Sequence, residues 1–177
     1  MRTKHFFEVI VLLLFISCKT EVTNEPNNES VLTIEGITYM NEYGEGGSSI
    51  DHDDWILNEK FTEKVKQLFD TLDFSKTAIA EPMPITENSS YRTPVISFFP
   101  NPLSIQGGLF YYHDKHILNL IVINNKYNKL YSFRVRDSHY FHLNLNKLEK
   151  GIYRIYYVIQ NSQYNIVHCG HGDIEKE

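Results

Sequence analysis

The feature that most constrains this chain is the alternation of apolar and polar residues that runs from Val95 to Ile174. Successive side chains on a strand point to opposite faces, so a period of two marks strands as a period near 3.6 marks helices. Seven segments carry the pattern: 95–99, 108–113, 116–123, 130–137, 139–145, 152–160 and 165–169. The third is apolar on both faces (Ile117, Leu118, Leu120, Ile121, Val122, Ile123), as a central strand requires. In the fourth, Tyr131, Phe133 and Val135 alternate with Ser132, Arg134 and Arg136, which leaves one face wet. Asn124-Asn125-Lys126, Asp137-Ser138 and Asn161-Ser162-Gln163 supply turn chemistry between strands. So many short strands in so little chain predict a mainly β protein, with an immunoglobulin-like β-sandwich of about seven strands over 95–174.

Upstream the period changes. Phe61, Val65, Leu68, Phe69 and Leu72 form a single apolar stripe and predict one amphipathic helix over 58–73. Asn58 is its expected N-cap, and Trp55 and Ile56 its hydrophobic staple. Pro82, Pro84 and Pro94 make the following stretch, to residue 94, an extended linker. Before the helix, residues 31–40 read as a short strand or hairpin interrupted by Gly36. Residues 41–49, with Gly44, Gly46 and Gly47, read as a loop. No Lys-Ser/Thr pair follows those glycines, so they do not make a phosphate-binding loop. Asp51-His52-Asp53-Asp54 gathers three carboxylates and an imidazole, but lacks calcium-loop spacing. It is expected to be a solvated acidic turn that places Asp53 or Asp54 near the start of the helix.

The first residues carry a different signal. Arg2 and Lys4 precede the apolar run Val9-Ile10-Val11-Leu12-Leu13-Leu14-Phe15-Ile16, and the small residue Ser17 stands before Cys18. That order is a secretory leader over 1–17, too short in its apolar part to span a bilayer. Phe15-Ile16-Ser17-Cys18 resembles the lipobox of bacterial lipoproteins. The resemblance implies cleavage before Cys18 and acylation of its thiol, hence a palmitate-type anchor in the envelope of a Gram-negative bacterium, at the outer membrane. Residues 19–30 are polar and include Pro26, which fits a tether between anchor and domain.

A second resemblance lies in the sandwich. Pro100-Asn101-Pro102 after an apolar strand, the doubly apolar central strand, and Leu148-x-x-Gly151-x-Tyr153 together look like the C-terminal domains of type IX secretion cargo. The likeness implies an immunoglobulin-like sandwich and an envelope setting. The chain departs from that pattern in its acidic end, 171–177, and in the lipobox.

The chain has 17 basic and 22 acidic residues and a formal net charge of −5. Without a basic cluster it is not expected to bind nucleic acid. Its two cysteines, Cys18 and Cys169, lie far apart and exclude a disulfide-stapled scaffold. His113/His116, His139/His142 and His168/His171 are three His-x-x-His pairs, and His168, Cys169 and His171 form the best candidate metal cluster, with Gly170 supplying a bend. Read as a nucleophile beside His168, Cys169 has poor geometry, because strand neighbours face opposite ways. Tyr111, Tyr112, Tyr156 and Tyr157 are candidates for stacking on a sugar. No catalytic motif occurs, and no cofactor is implied. The expectation is a non-enzymatic envelope lipoprotein whose sandwich binds a protein or surface polymer, held to the membrane through Cys18. A carbohydrate-binding module, and a metal-binding protein or metal-dependent enzyme using the His/Cys cluster, are the alternatives.

Overall fold

The computed structural model describes residues 31–47, 49–57, 59–77, 96–111, 116–136 and 138–177. Its elements are α1 (Glu63–Leu68), β1 (Ile96–Phe99), β2 (Gln106–Tyr111), β3 (Ile117–Ile123), β4 (Lys129–Arg136), β5 (Tyr140–Asn144), β6 (Gly151–Gln160) and β7 (Ile166–Lys176). All strand pairings are antiparallel, in a three-stranded sheet ordered β1-β2-β5 and a four-stranded sheet ordered β4-β3-β6-β7. This is an immunoglobulin-like β-sandwich in which the fourth strand joins β3 rather than the first sheet. Cys18 and the leader lie outside the described residues.

Two apolar layers hold the molecule together. Between the sheets, Phe98, Leu109, Leu118, Leu120, Val122, Leu143, Ile155, Tyr157 and Ile174 make the main core. On the outer face of the four-stranded sheet, Phe61, Val65 and Phe69 pack on Ile121, Ile123, Tyr156 and Val158. All seven residues of β3 are therefore buried: its even positions face the sandwich, and Ile121 and Ile123 face the helix layer. The alternation in β4 also holds, with Tyr131 and Phe133 leaning on the core and Ser132, Arg134 and Arg136 exposed.

The Leu148-x-x-Gly151-x-Tyr153 motif is a hydrogen-bonded corner. Leu148 is in the core, and the Tyr153 hydroxyl donates to the Glu149 carbonyl at 2.9 Å. Immunoglobulin-like sandwiches brace the chain with the same bond as it enters the sixth strand.

Three expected elements differ. The helix is six residues, not sixteen, and begins after Thr62, whose hydroxyl accepts from the Val65 N–H. The upstream backbone is committed elsewhere: Glu59 N–H donates to the Cys169 carbonyl at 3.0 Å, which keeps that segment alongside β7. The apolar face of the stripe nevertheless holds, with Phe61, Val65 and Phe69 buried. Residues 31–40 form no strand, only isolated bridges from Met40 to Gly46 and to Asn101. Finally, the last strand does not stop at Cys169 but continues to Lys176.

Gly170 makes no bend. A Cβ there would lie 1.9 Å from the Ile56 carbonyl oxygen, and one at Gly172 would lie 2.2 Å from the Trp55 ring. The two glycines let residues 55–56 lie directly on the strand. Trp55 is not a helix staple. It slides over Gly172 into the sandwich core, stacked between Phe98 (6.2 Å) and Tyr157 (6.1 Å). Its own φ is 61°, a left-handed backbone that costs a non-glycine residue about 1 kcal/mol or more. Trp55 N–H to the His171 carbonyl (2.6 Å), and a Tyr157 hydroxyl bond to the Ile56 carbonyl, hold it there.

The outer edge of β7 is consequently covered along its length. Lys76, Glu59, Trp55, Asp54, Asn101 and Leu103 each hydrogen-bond to it in turn. An uncovered edge of that length would invite pairing with another chain.

Candidate functional site

Asn101 fastens three segments together. It stands between two cis peptide bonds, Phe99-Pro100 and Asn101-Pro102, and is fully buried. Its Nδ2 donates to the Thr38 carbonyl (3.0 Å) and the Asp173 carbonyl (2.8 Å), while its Oδ1 accepts from the Glu175 N–H (2.9 Å). Its backbone exchanges both bonds with Met40, at 2.8 and 3.0 Å. Residues 38–40, the proline loop and β7 are thereby locked in one arrangement.

Beneath it lies a buried polar cluster. Asp54 accepts from the Thr38 N–H and the Asp173 N–H, each at 2.8 Å. Burial, and after it the charge of Asp173, push the Asp54 pKa up to about 6, against the two backbone bonds that favour its charged form. Asp173, 1% exposed, is held by Arg154 through two bonds of 2.7 and 2.6 Å. Burial alone would lower the pKa of Arg154; the hydrogen bonds and charge of Asp173 more than reverse this and raise it. The His171 Nδ1 lies 2.5 Å from a Glu59 carboxylate oxygen; an ionised carboxylate only accepts, so the imidazole N–H donates.

Asp54, His171 and Asp173 each bring one possible ligand atom within 4.8 Å of the others, a grouping no other described residues make. Yet both oxygens of Asp54 and both of Asp173 already accept N–H bonds, and the Arg154 guanidinium occupies the place beside them. The cluster acts as a latch that ties the segment before α1 to β7. The Asp51–Asp54 turn is thus only partly solvated: Asp53 is exposed, but Asp54 serves β7 rather than a helix terminus.

The sequence-level candidates fare differently. His168 pairs opposite Ile159, and His171 opposite Tyr156. Ile159 belongs to the sandwich core and Tyr156 to the helix layer, so the two imidazoles sit on opposite faces of β7 and do not converge with Cys169 on one ion. Burial, followed by the Glu59 charge, raises the Cys169 thiol to about 12, which removes it as a nucleophile at neutral pH. Tyr111, Tyr156 and Tyr157 are 2%, 3% and 0% exposed. They are packing residues and cannot stack on a sugar. Tyr112 and His113 lie outside the described residues.

Above Asn101 opens a cleft of about 590 Å³, lined chiefly by Tyr39, Glu42, Tyr43, Pro102, Glu175 and Glu177. Its rim is braced. The Asn41 carboxamide oxygen accepts from the Tyr43 and Glu45 N–H groups, both at 2.9 Å, and Asn41 N–H bonds the Glu45 carbonyl at 3.0 Å. That turn presents Tyr43 at 77% exposure. Tyr39, 42% exposed, lies flat over Gly47, where a Cβ would meet its ring at 2.1 Å. Sequence reasoning passed over these residues, because exposure of an aromatic is not written in alternation or period. The available signal was the tyrosine inside the Asn41-Glu42-Tyr43-Gly44 turn, where no core demands one.

No family model and no curated protein matches the chain. The fold and the cleft alone define what it is structurally: an immunoglobulin-like sandwich with a concave, braced, aromatic and acidic surface at the end formed by residues 37–43, Ser49, the proline loop and the end of β7.

Proposed function

We propose that this chain is a non-enzymatic lipoprotein of a Gram-negative cell envelope, anchored at the outer membrane by lipid on Cys18, whose sandwich binds a partner through the cleft. The observation that carries the interaction half is the pair of exposed tyrosines held on braced backbone around a concave surface. Pre-ordered aromatics lose little conformational freedom on binding, which is where much of the cost of association lies. The anchoring half rests on the charged start, the apolar run and Ser17-Cys18. The similarity to type IX cargo domains supports an envelope setting and carries no sorting role. A surface glycan is the second reading, kept by Tyr39 and Tyr43 in place of the buried tyrosines.

Cross-linking and co-purification from native membranes test both halves. Wild type is expected to incorporate labelled palmitate and to co-purify with one stoichiometric partner. Cys18→Ala is expected to lose label and membrane attachment. Tyr43→Ala is expected to keep both and lose the partner. Unchanged membrane attachment of the Cys18 variant would end the lipoprotein assignment.

A further inference from the structure

We infer that the cleft takes a basic segment of a partner protein, with an arginine or lysine side chain lodged against Tyr39 and Tyr43. This inference rests on the interaction reading above and names the chemistry of its ligand. Among the residues lining the cleft, Glu42, Glu175 and Glu177 are acidic, and none is Lys, Arg or His. The ion pairs among the described residues are formed by other carboxylates, those of Glu63, Asp73, Asp70, Asp173 and Glu59. The buried Lys176 ammonium bonds the Glu177 main-chain oxygen at 2.6 Å, so three carboxylates stand against one neighbouring cation and the concavity keeps an excess of negative charge. The aromatic faces add to it. A ring's π face attracts a cation, and two exposed tyrosines border the same space as the carboxylates.

The shape decides between kinds of cation. The described residues bring three potential ligand atoms within 4.8 Å of one another only at Asp54, His171 and Asp173, so the three cleft glutamates as placed do not converge on one metal ion. Separated carboxylates around a cleft of about 590 Å³ suit instead a cation carried on a peptide. A neutral sugar would use the tyrosines but leave the accumulated charge unanswered. The groove beside α1 at Asn119 contrasts with this one: Lys129 and Arg134 line it, and Lys129 is already paired with Asp70 at 2.6 Å.

The test uses the full acylated chain in detergent and three probes: the blocked peptide Gly-Arg-Gly-Arg-Gly, its citrulline counterpart, and a neutral chitin hexasaccharide. The arginine peptide is expected to bind saturably and to weaken as salt rises, since exposed charge pairs are screened. The uncharged citrulline peptide is expected to bind about tenfold more weakly or not at all. Glu175→Gln with Glu177→Gln should weaken the arginine peptide by about tenfold, and Tyr43→Ala by about threefold. The melting temperature of Tyr43→Ala should stay at the wild-type value, because that side chain is largely in solvent. Equal binding of the arginine and citrulline peptides would overturn the inference. So would hexasaccharide binding in place of the peptide, or no peptide binding by protein that melts normally. If the peptide fails while a partner still co-purifies in a Tyr43-dependent way, the charge chemistry falls and the interaction reading stands. If both fail, both fall.

Discussion

Replacing Asn101 by alanine should be among the most damaging single changes outside the apolar core. The substitution deletes the bonds to the Thr38 and Asp173 carbonyls and to the Glu175 N–H, all buried or partly buried. Each such bond is worth about 1 kcal/mol net, and an N–H left without an acceptor adds about 1–3 kcal/mol, so the expected loss is about 4 kcal/mol. In urea, with a slope of about 2 kcal/mol per molar, the unfolding midpoint should fall by about 2 M. Asn144→Ala is the control: that exposed side chain accepts only from the Asn146 N–H at 3.2 Å, and its loss should shift stability by about 0.5 kcal/mol or less. Asn101→Asp separates hydrogen bonding from volume. It keeps the shape but turns a donor into an acceptor facing two carbonyl oxygens. At neutral pH it should be at least as damaging as alanine, with partial recovery in acid, where a protonated carboxyl regains one donor. A midpoint shift of less than about 0.5 M for Asn101→Ala would refute the claim that this residue joins the three segments.

Three further outcomes are expected. Trp55→Ala should cost about 3–5 kcal/mol by emptying the slot between Phe98 and Tyr157, measured by chemical denaturation followed by circular dichroism. Asp54 gives a pH dependence. Its folded pKa, about 6, exceeds the ordinary aspartate value of 3.8, so between those values the folded state holds a proton that the unfolded chain releases. The stability this contributes is complete below about pH 4 and is lost as the pH rises through about 6, by no more than about 3 kcal/mol and nearer 2 after solvent screening. Asp54→Asn should flatten that part of the stability profile, and an unchanged slope would contradict the assignment. Tyr153→Phe should cost about 1 kcal/mol by removing the corner bond to Glu149, with the thermal midpoint as readout.

The strands were legible because each is an amphipathic or fully apolar segment whose pattern depends on two neighbouring layers, and both layers exist: β3 and β4 read as they pack. The helix was misread for a physical reason. Phe61 fits a helical stripe and is buried on the sheet, but Glu59 gives its N–H to β7, so the stripe is met partly by extended chain. The end of β7 was cut short because Gly170 and Gly172 look like breakers; they are openings for Ile56 and Trp55, partners more than a hundred positions away. The site was less legible still. Asp54 and Tyr157 take their roles from contacts with segments far off in sequence, and a tyrosine in a strand reads alike whether it faces a core or solvent. Pro100-Asn101-Pro102 stands out in the sequence as a resemblance and not as a fastener, and Asp54 and His171 stand out there for roles other than the ones they take.

The clasp that Asp54, Trp55, Ile56 and Glu59 make with the last two strands also sets an order of events. Asp173 meets Asp54 at a separation of 119 residues, and His171 meets Glu59 at 112. As the chain emerges from the ribosome, or threads through a translocation pore, Trp55 appears early and has neither Tyr157 to stack on nor Gly172 to lie over. Contacts of such long range form late and slowly. The early segment must therefore wait until β7 has cleared the exit, and in that interval Trp55 is open to non-native association.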